Sequence, residues 1–151
     1  MTARIRRTKS RPKSFDPLSP SERSERMSRV RAKNTKPELI VRRLTWTLGY
    51  RYRIHGHRLP GHPDLVFAAR RKVILVHGCF WHQHQRCRQY RMPKSRLGFW
   101  LPKLNSNKRR DRANKRKLQS LGWSVLIVWE CELKDLTSVR ARIKEFLEGR
   151  Q

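Results

Sequence analysis

Asp64-Leu65-Val66-Phe67-Ala68, then Arg70-Arg71-Lys72, then Val73-Ile74-Leu75-Val76, running directly into His77-Gly78-Cys79-Phe80-Trp81-His82-Gln83-His84-Gln85-Arg86-Cys87, is the stretch that organises this chain. Two short apolar runs separated by three cationic residues predict a hairpin of strands, and the near-continuous run 73–76 reads as a buried strand. A core strand does not ordinarily end in a string of histidines, cysteines and aromatics. Residues 77–100 are therefore expected to be irregular, with their ligand-type side chains gathered at the end of a strand.

Outward from this stretch, Thr35-Lys36-Pro37-Glu38 has the form of a helix start, with Thr35 as cap, Pro37 in the first turn and Glu38 completing a capping box. Ile40, Val41, Leu44 and Leu48 share one helical face, and Gly49 ends the helix. Residues 50–54 read as a strand, and Leu59-Pro60-Gly61-His62-Pro63 as the loop that leads to Asp64. Downstream, residues 105–121 predict a strongly basic helix closed by Gly122, and residues 123–129 a second buried strand. Thr137 is the expected cap of a last helix, with Val139, Ile143, Phe146 and Leu147 on its inner face. Residues 1–20, rich in Arg, Lys, Ser and Pro, predict a disordered basic tail, and residues 21–31 a short polar helix containing Met27 and Val30. The order of elements predicts a single α/β domain over 21–151, a mixed central sheet flanked by helices.

The chain has 151 residues, the size of one ordinary domain, and its 38 Lys and Arg against 11 Asp and Glu give a net charge of +27. Such an imbalance calls for an anionic partner, and nucleic acid is the usual one. An RNA-binding protein would be equally basic. No apolar stretch is long enough to span a bilayer, and the cationic N-terminus is not followed by the apolar run of a secretory signal. Three cysteines, an odd number, do not suggest a disulfide framework, and a reduced, cytoplasmic setting is expected.

Between Arg26 and Trp129 the only acids are Glu38, Asp64 and Asp111. An acid on a face that meets phosphate needs a reason, and metal binding is a common one. Asp64 opens a strand beside a loop, which suits a metal ligand or a plain turn residue. Cys79, His84 and Cys87 have the spacing of a structural zinc site, and Cys131 beyond the last strand completes a Cys₃His set with no open position. Buried thiols are the alternative, and the use of all three cysteines favours zinc. His77 and His82 remain as candidate acids or bases, or phosphate contacts. His55, His57 and His62 read as surface or hairpin residues. Phe80, Trp81, Phe99 and Trp100 either stack on bases or pack the loop. Lys108-Arg109-Arg110-Asp111-Arg112 is a phosphate grip or a solvated face, in which Asp111 either orients a histidine or pairs with Arg.

Five stretches together resemble the very short patch repair (Vsr) endonucleases: Pro60-Gly61-His62-Pro63-Asp64, Val76-His77-Gly78-Cys79-Phe80-Trp81-His82, Phe99-Trp100-Leu101, Arg110-Asp111-Arg112, and Gly122-Trp123-Ser124-Val125-Leu126-Ile127-Val128-Trp129-Glu130-Cys131. They fall in the family's order over roughly residues 21–145. Arg86 departs from the pattern by adding one residue before Cys87. The resemblance implies a type II restriction endonuclease-like fold with an added zinc site. It implies a magnesium-dependent enzyme that nicks duplex DNA 5′ of the mismatched T at T·G pairs left by deamination of 5-methylcytosine. By residue it implies Asp64 and the backbone carbonyl of Val76 as ligands to two magnesium ions, His82 as the catalytic histidine with Asp111 oriented to it, His77 as a second imidazole, and Glu38 as an acid near the metals. It further implies Cys79, His84, Cys87 and Cys131 on zinc, Phe80, Trp81, Trp100 and Met27 as wedges into DNA, and Arg110 as a DNA contact. Other repair proteins are further candidate partners, and a monomer is expected because a single-strand nick needs one site. Against this stand a non-catalytic zinc protein that binds nucleic acid, and a restriction-type nuclease acting on matched DNA.

Overall fold

The computed structural model describes residues 19, 21, 22, 25, 33–94 and 96–149. Helix α1 (Lys36–Thr47) begins at Thr35, whose backbone is extended. The predicted capping box forms differently. The Thr35 hydroxyl donates to Glu38 Oε1 at 2.8 Å, and Glu38 Oε2 accepts from the Asn34 N–H at 2.9 Å. Arg42 Nη2 also donates to Oε2, at 3.1 Å. The carboxylate thus draws the hydroxyl as a donor, and Thr35 makes no side-chain cap bond to the helix N–H groups. Gly49, at φ +87°, ends the helix as expected.

Strands β1 (Arg53–Ile54), β2 (Leu65–Phe67), β3 (Lys72–His77) and β4 (Ser124–Trp129) form one sheet in that order. β1, β2 and β3 are antiparallel neighbours, and β3 and β4 run parallel, with Lys72 opposite Ser124 and His77 opposite Trp129. β1 is shorter than the expected 50–54, because Tyr50 instead gives its N–H to Thr45 O of α1, at 3.3 Å. β2 is short for a reason written in the sequence. Leu65 pairs with Ile74, so continuing the register would set Asp64 opposite Leu75 and then Pro63 opposite Val76. Proline has no N–H to donate, and the ladder stops.

Helix α2 (Leu97–Ser120) crosses over between β3 and β4. It starts well before the expected residue 105 and carries Pro102 within it. The missing N–H at Pro102 is offset by what the extra turns present: Trp100, packed with rings of the preceding loop, and Phe99 against Trp100. Helix α3 (Leu136–Glu148) is capped by Asp135, which accepts from Ser138 N at 3.1 Å, and not by the expected Thr137. An ionised carboxylate is the better partner for the positive end of a helix. Of the polar helix expected over 21–31, Ser21, Glu22 and Glu25 are helical, and the other positions, Met27 included, lie outside the described residues.

The alternation of strand residues divides the interior in two. Leu65, Phe67, Ile74 and Val128 face α1 and α3, where they meet Val41, Val139, Ile143 and Leu147. Val66 and Val73 face α2 and meet Leu118, with Leu59, Trp123 and Val125 around them. The result is a single mixed α/β layer structure, a sheet with helices on both faces. Cations close the helix ends: Lys72 Nζ donates to Leu147 O and Gly149 O at the end of α3, and Arg71 donates to Leu121 O and Gly122 O beyond α2. No helix among the described residues is long and apolar enough to cross a membrane. Because Leu118 is fully buried and anchors α2 to the sheet, Leu118→Ala should lower stability by about 2–5 kcal/mol in urea unfolding. A change under about 0.5 kcal/mol would show that α2 is held by other contacts.

Candidate active site

The parallel strands β3 and β4 end side by side, and catalytic sites in α/β sheets collect at such carboxyl ends. A cavity of about 740 Å³ opens there, and Glu38, Asp64, Val76, His77, Trp81, His82 and Asp111 all line it. Pro63 explains the opening. Pro63 has no ladder N–H and its carbonyl accepts from Gly56 N–H at 3.0 Å, so the Val76 N–H takes the side chain of Asp64 as its acceptor, Oδ2 at 2.7 Å. In a strand the N–H and C=O of one residue point to the same edge. The Val76 carbonyl therefore also points to the side where β2 has ended.

Burial pushes the Asp64 carboxyl up to about 6, with the nearby charge of Glu38 adding to the effect against the Val76 N–H. The ionised form is the penalised one, and a cation would relieve it. Glu38 is buried but fully engaged by Asn34, Thr35 and Arg42, so it shapes the electrostatics of Asp64 from a fixed position.

Across the cavity, His82 Nδ1 donates to Asp111 Oδ2 at 2.6 Å. A carboxylate oxygen accepts this bond, which places a proton on Nδ1 and makes Nε2 the basic nitrogen of the neutral ring. Asp111 is the one acid of α2, amid Lys108, Arg109, Arg110 and Arg112. The His77 ring stacks on His82 with centroids 3.9 Å apart and planes 7° from parallel. Burial, and then the neighbouring His82, push His77 down to about 4, so it is a neutral ring at ordinary pH. Arg110 is exposed and donates to Asn107.

Cys79, His84, Cys87 and Cys131 bring their ligand atoms within 4.8 Å of one another. His84 Nδ1 lies 3.7 Å from Cys79 Sγ and 3.3 Å from Cys131 Sγ. A tetrahedral ion with metal–sulfur bonds of about 2.3 Å sets its donors roughly 3.5–3.8 Å apart, so the set fits one ion. Burial pushes the Cys79 thiol up to about 12 and raises that of Cys131, which leaves both protonated unless a cation takes them. The extra residue at Arg86 is absorbed by the loop, where Arg86 adopts φ +58°.

Phe80, Trp81 and Trp100 form one aromatic group with centroids 5.2–6.0 Å apart, and Phe99 joins through Trp100. Lys103 Nζ sits 5.5–5.8 Å from the rings of Trp81, Phe99 and Trp100. The remaining assigned wedge, Met27, lies outside the described residues.

Sequence reasoning missed several participants. His55, His57 and His62, read as surface or hairpin residues, line the cavity. Their loop is drawn over the sheet at Gly56, where a Cβ would come within 2.8 Å of Val66 Cγ2. Asn114 reaches the cavity from α2, and Arg42 from α1 fixes Glu38. None has a local pattern that marks it, since each is recruited by tertiary packing.

Residues 15–89 match the family model described as DNA mismatch endonuclease Vsr. The type II nicking enzyme V.XorIIP of Xanthomonas oryzae pv. oryzae is 50% identical over 133 residues, which is 88% of this chain and 97% of that protein. The chain belongs to the Vsr endonuclease family. The DNA mismatch endonuclease Vsr of Escherichia coli is 43% identical over 116 residues, 75% of this chain and 74% of its own length. The type II nicking enzyme V.NmeAIP of Neisseria meningitidis is 39% identical over 132 residues, 87% of this chain and 94% of the relative. As a Vsr endonuclease the protein is a DNA-acting hydrolase, and the Cys/His cluster is compatible with metal binding.

In protein free of divalent ions, the Asp64 carboxyl should titrate near pH 6, read by carboxyl carbon NMR and absent in Asp64→Asn. The sign follows from a raised folded value. Stability from the buried neutral acid is complete below the ordinary 3.8 and is lost as pH rises through about 6. A midpoint near 4 would mean that water reaches the carboxyl freely.

Proposed function

We propose that this Vsr endonuclease nicks one strand of duplex DNA on the 5′ side of the mismatched T in a T·G pair, the lesion left by deamination of 5-methylcytosine. The observation that carries the reading is the placement of the His82–Asp111 pair and the half-buried Asp64 on one cavity beside a half-buried aromatic group. The names of the nicking-enzyme relatives support a single-strand break.

Magnesium, held by the Asp64 carboxylate and the Val76 carbonyl, would supply charge neutralisation at the scissile phosphate and the leaving oxygen. His82 Nε2 takes a proton from the attacking water, and Asp111 holds the ring and stabilises the cation that forms. His77 stays neutral against the face of His82 and keeps it from turning. Glu38 tunes Asp64. Cys79, His84, Cys87 and Cys131 would hold zinc as a closed set of four ligands, which would pin the loop after β3 to the residues after β4. The fold is of the type II restriction endonuclease kind, extended by this zinc staple.

Phe80, Trp81 and Trp100 act as wedges, joined by Met27 from the N-terminal segment, and Arg110 grips phosphate. Opening a base step costs about a few kcal/mol, and each stacked aromatic returns about 1–3 kcal/mol. The balance is close, so a wobble pair that is easier to distort than a matched pair tips it toward the mismatch. A zinc protein that only binds nucleic acid has no use for a histidine and a carboxylate paired at 2.6 Å beside a second, half-buried acid.

Asp64→Asn should reduce nicking by more than about 100-fold while DNA affinity stays within about twofold, because phosphate contacts by Lys and Arg supply the binding. Nicking by the purified variant at the wild-type rate would remove Asp64 from the chemistry. Cys131→Ser should lower zinc per chain, measured by atomic emission, together with thermal stability. Full zinc occupancy in that variant would exclude Cys131 as a ligand.

A further inference from the structure

Trp129, the last residue of β4, has no part in the chemistry described so far, yet it stands between the two functional clusters. On one side its indole stacks on His84 of the Cys/His cluster, with centroids 4.0 Å apart and planes 3° from parallel. On the other it meets the His77 ring edge-on at 5.2 Å and 79°. His77 in turn stacks on His82, which is bonded to Asp111. An unbroken series of rings thus runs from the cysteine cluster to the imidazole that faces the cavity. The backbone of Trp129 is fixed independently. Its N–H donates to Glu132 Oε2 at 2.7 Å. Glu132 is itself held by two bonds from Arg142 of α3, at 2.6 and 2.8 Å, and Arg142 also donates to Ile127 O at 2.8 Å. That brace keeps Glu132 ionised: against the cost of its burial, the bonds from Arg142 and Trp129 lower its carboxyl below the usual range.

We propose that Trp129 is a positioning residue that transmits the state of the Cys/His cluster to His82: the ion fixes His84, His84 fixes the indole, and the indole fixes the His77–His82 stack. The reason is steric. Stacked rings near 4 Å are in van der Waals contact, so a tilt of one displaces the next. The His82–Asp111 bond constrains that ring about one atom only, and the stack supplies the second constraint. The cysteine cluster then does more than staple a loop. It sets the orientation of the proton acceptor, in the way that groups behind a reacting residue fix its geometry. This role rests on the assignment of His82 to proton transfer, but its structural part does not.

The test compares Trp129→Leu with Trp129→Phe in the full chain, with zinc content measured for each. In Trp129→Leu, kcat for nicking should fall at least about tenfold with KM little changed and zinc retained, and the His77 and His82 ring proton signals should shift. Trp129→Phe, which keeps an aromatic face and edge, should recover most of the rate and the wild-type signals. Wild-type kcat in Trp129→Leu, or unmoved His82 signals, would overturn the proposal. Should Trp129→Leu fail to fold, the wild-type protein decides. Replacing zinc with the larger cadmium ion should move the ring signals of His84, His77 and His82 together. A response confined to His84 would overturn the coupling. The ring signals are read without DNA, so they stand apart from whether the protein nicks mismatched duplexes.

Discussion

Pro63 shapes the working end of this molecule, because it has no N–H to give to β3 and its carbonyl accepts from Gly56 instead. The β2–β3 ladder ends at Leu65 and Ile74, and the Val76 N–H, left without a main-chain acceptor, donates to the Asp64 carboxylate at 2.7 Å. One substitution of a side-chain acceptor for a main-chain one buries an acid at the mouth of a sheet, turns a strand carbonyl toward open space, and leaves room for the cavity. The remaining machinery is arranged around that gap. β3 delivers His77 to its rim, the loop after β3 delivers Trp81 and His82, and α2 delivers Asp111.

Charge explains why acids are so sparse here and why these few persist. A chain of net charge +27 is drawn to phosphate everywhere on its surface. Of the four acids that line the cavity, three are committed to a partner: Glu38 to Arg42 and the start of α1, Asp111 to His82, Asp64 to Val76. A committed carboxylate holds its place against the pull of surrounding cations, which would otherwise draw it into surface ion pairs of little consequence. The same economy holds for the aromatics. Phe80, Trp81 and Trp100 pack on one another and under Lys103, which keeps large rings ordered at a surface.

Much of this was legible in the residues. The apolar runs 73–76 and 123–129 specified β3 and β4 because buried parallel strands leave little choice of residue. The cysteine cluster was legible from ligand count and spacing, and the structure brings the four residues together. What was not legible is where tertiary contact overrides local preference. The basic run placed the start of α2 at residue 105, but the helix begins at Leu97 and carries Phe99 and Trp100 into the aromatic group. Asp135 displaced Thr137 as cap, and Glu38 reversed the role of the Thr35 hydroxyl. His55, His57 and His62 gave no periodic signal, since a loop folded across a sheet shares no face with its own neighbours in sequence. Trp129 read as one more strand residue, and only the ring geometry distinguishes it.

The central claim is that this cavity cuts one strand beside a T·G pair with the help of a divalent cation. The most direct measurement uses two end-labelled duplexes, identical except for one T·G pair in a methylation-type context, incubated with the protein and magnesium. The account predicts a single nick on the 5′ side of the mismatched T, in the mismatched duplex alone, lost on addition of EDTA. Equal cutting of the matched duplex, or binding without cutting across several flanking sequences, would contradict it.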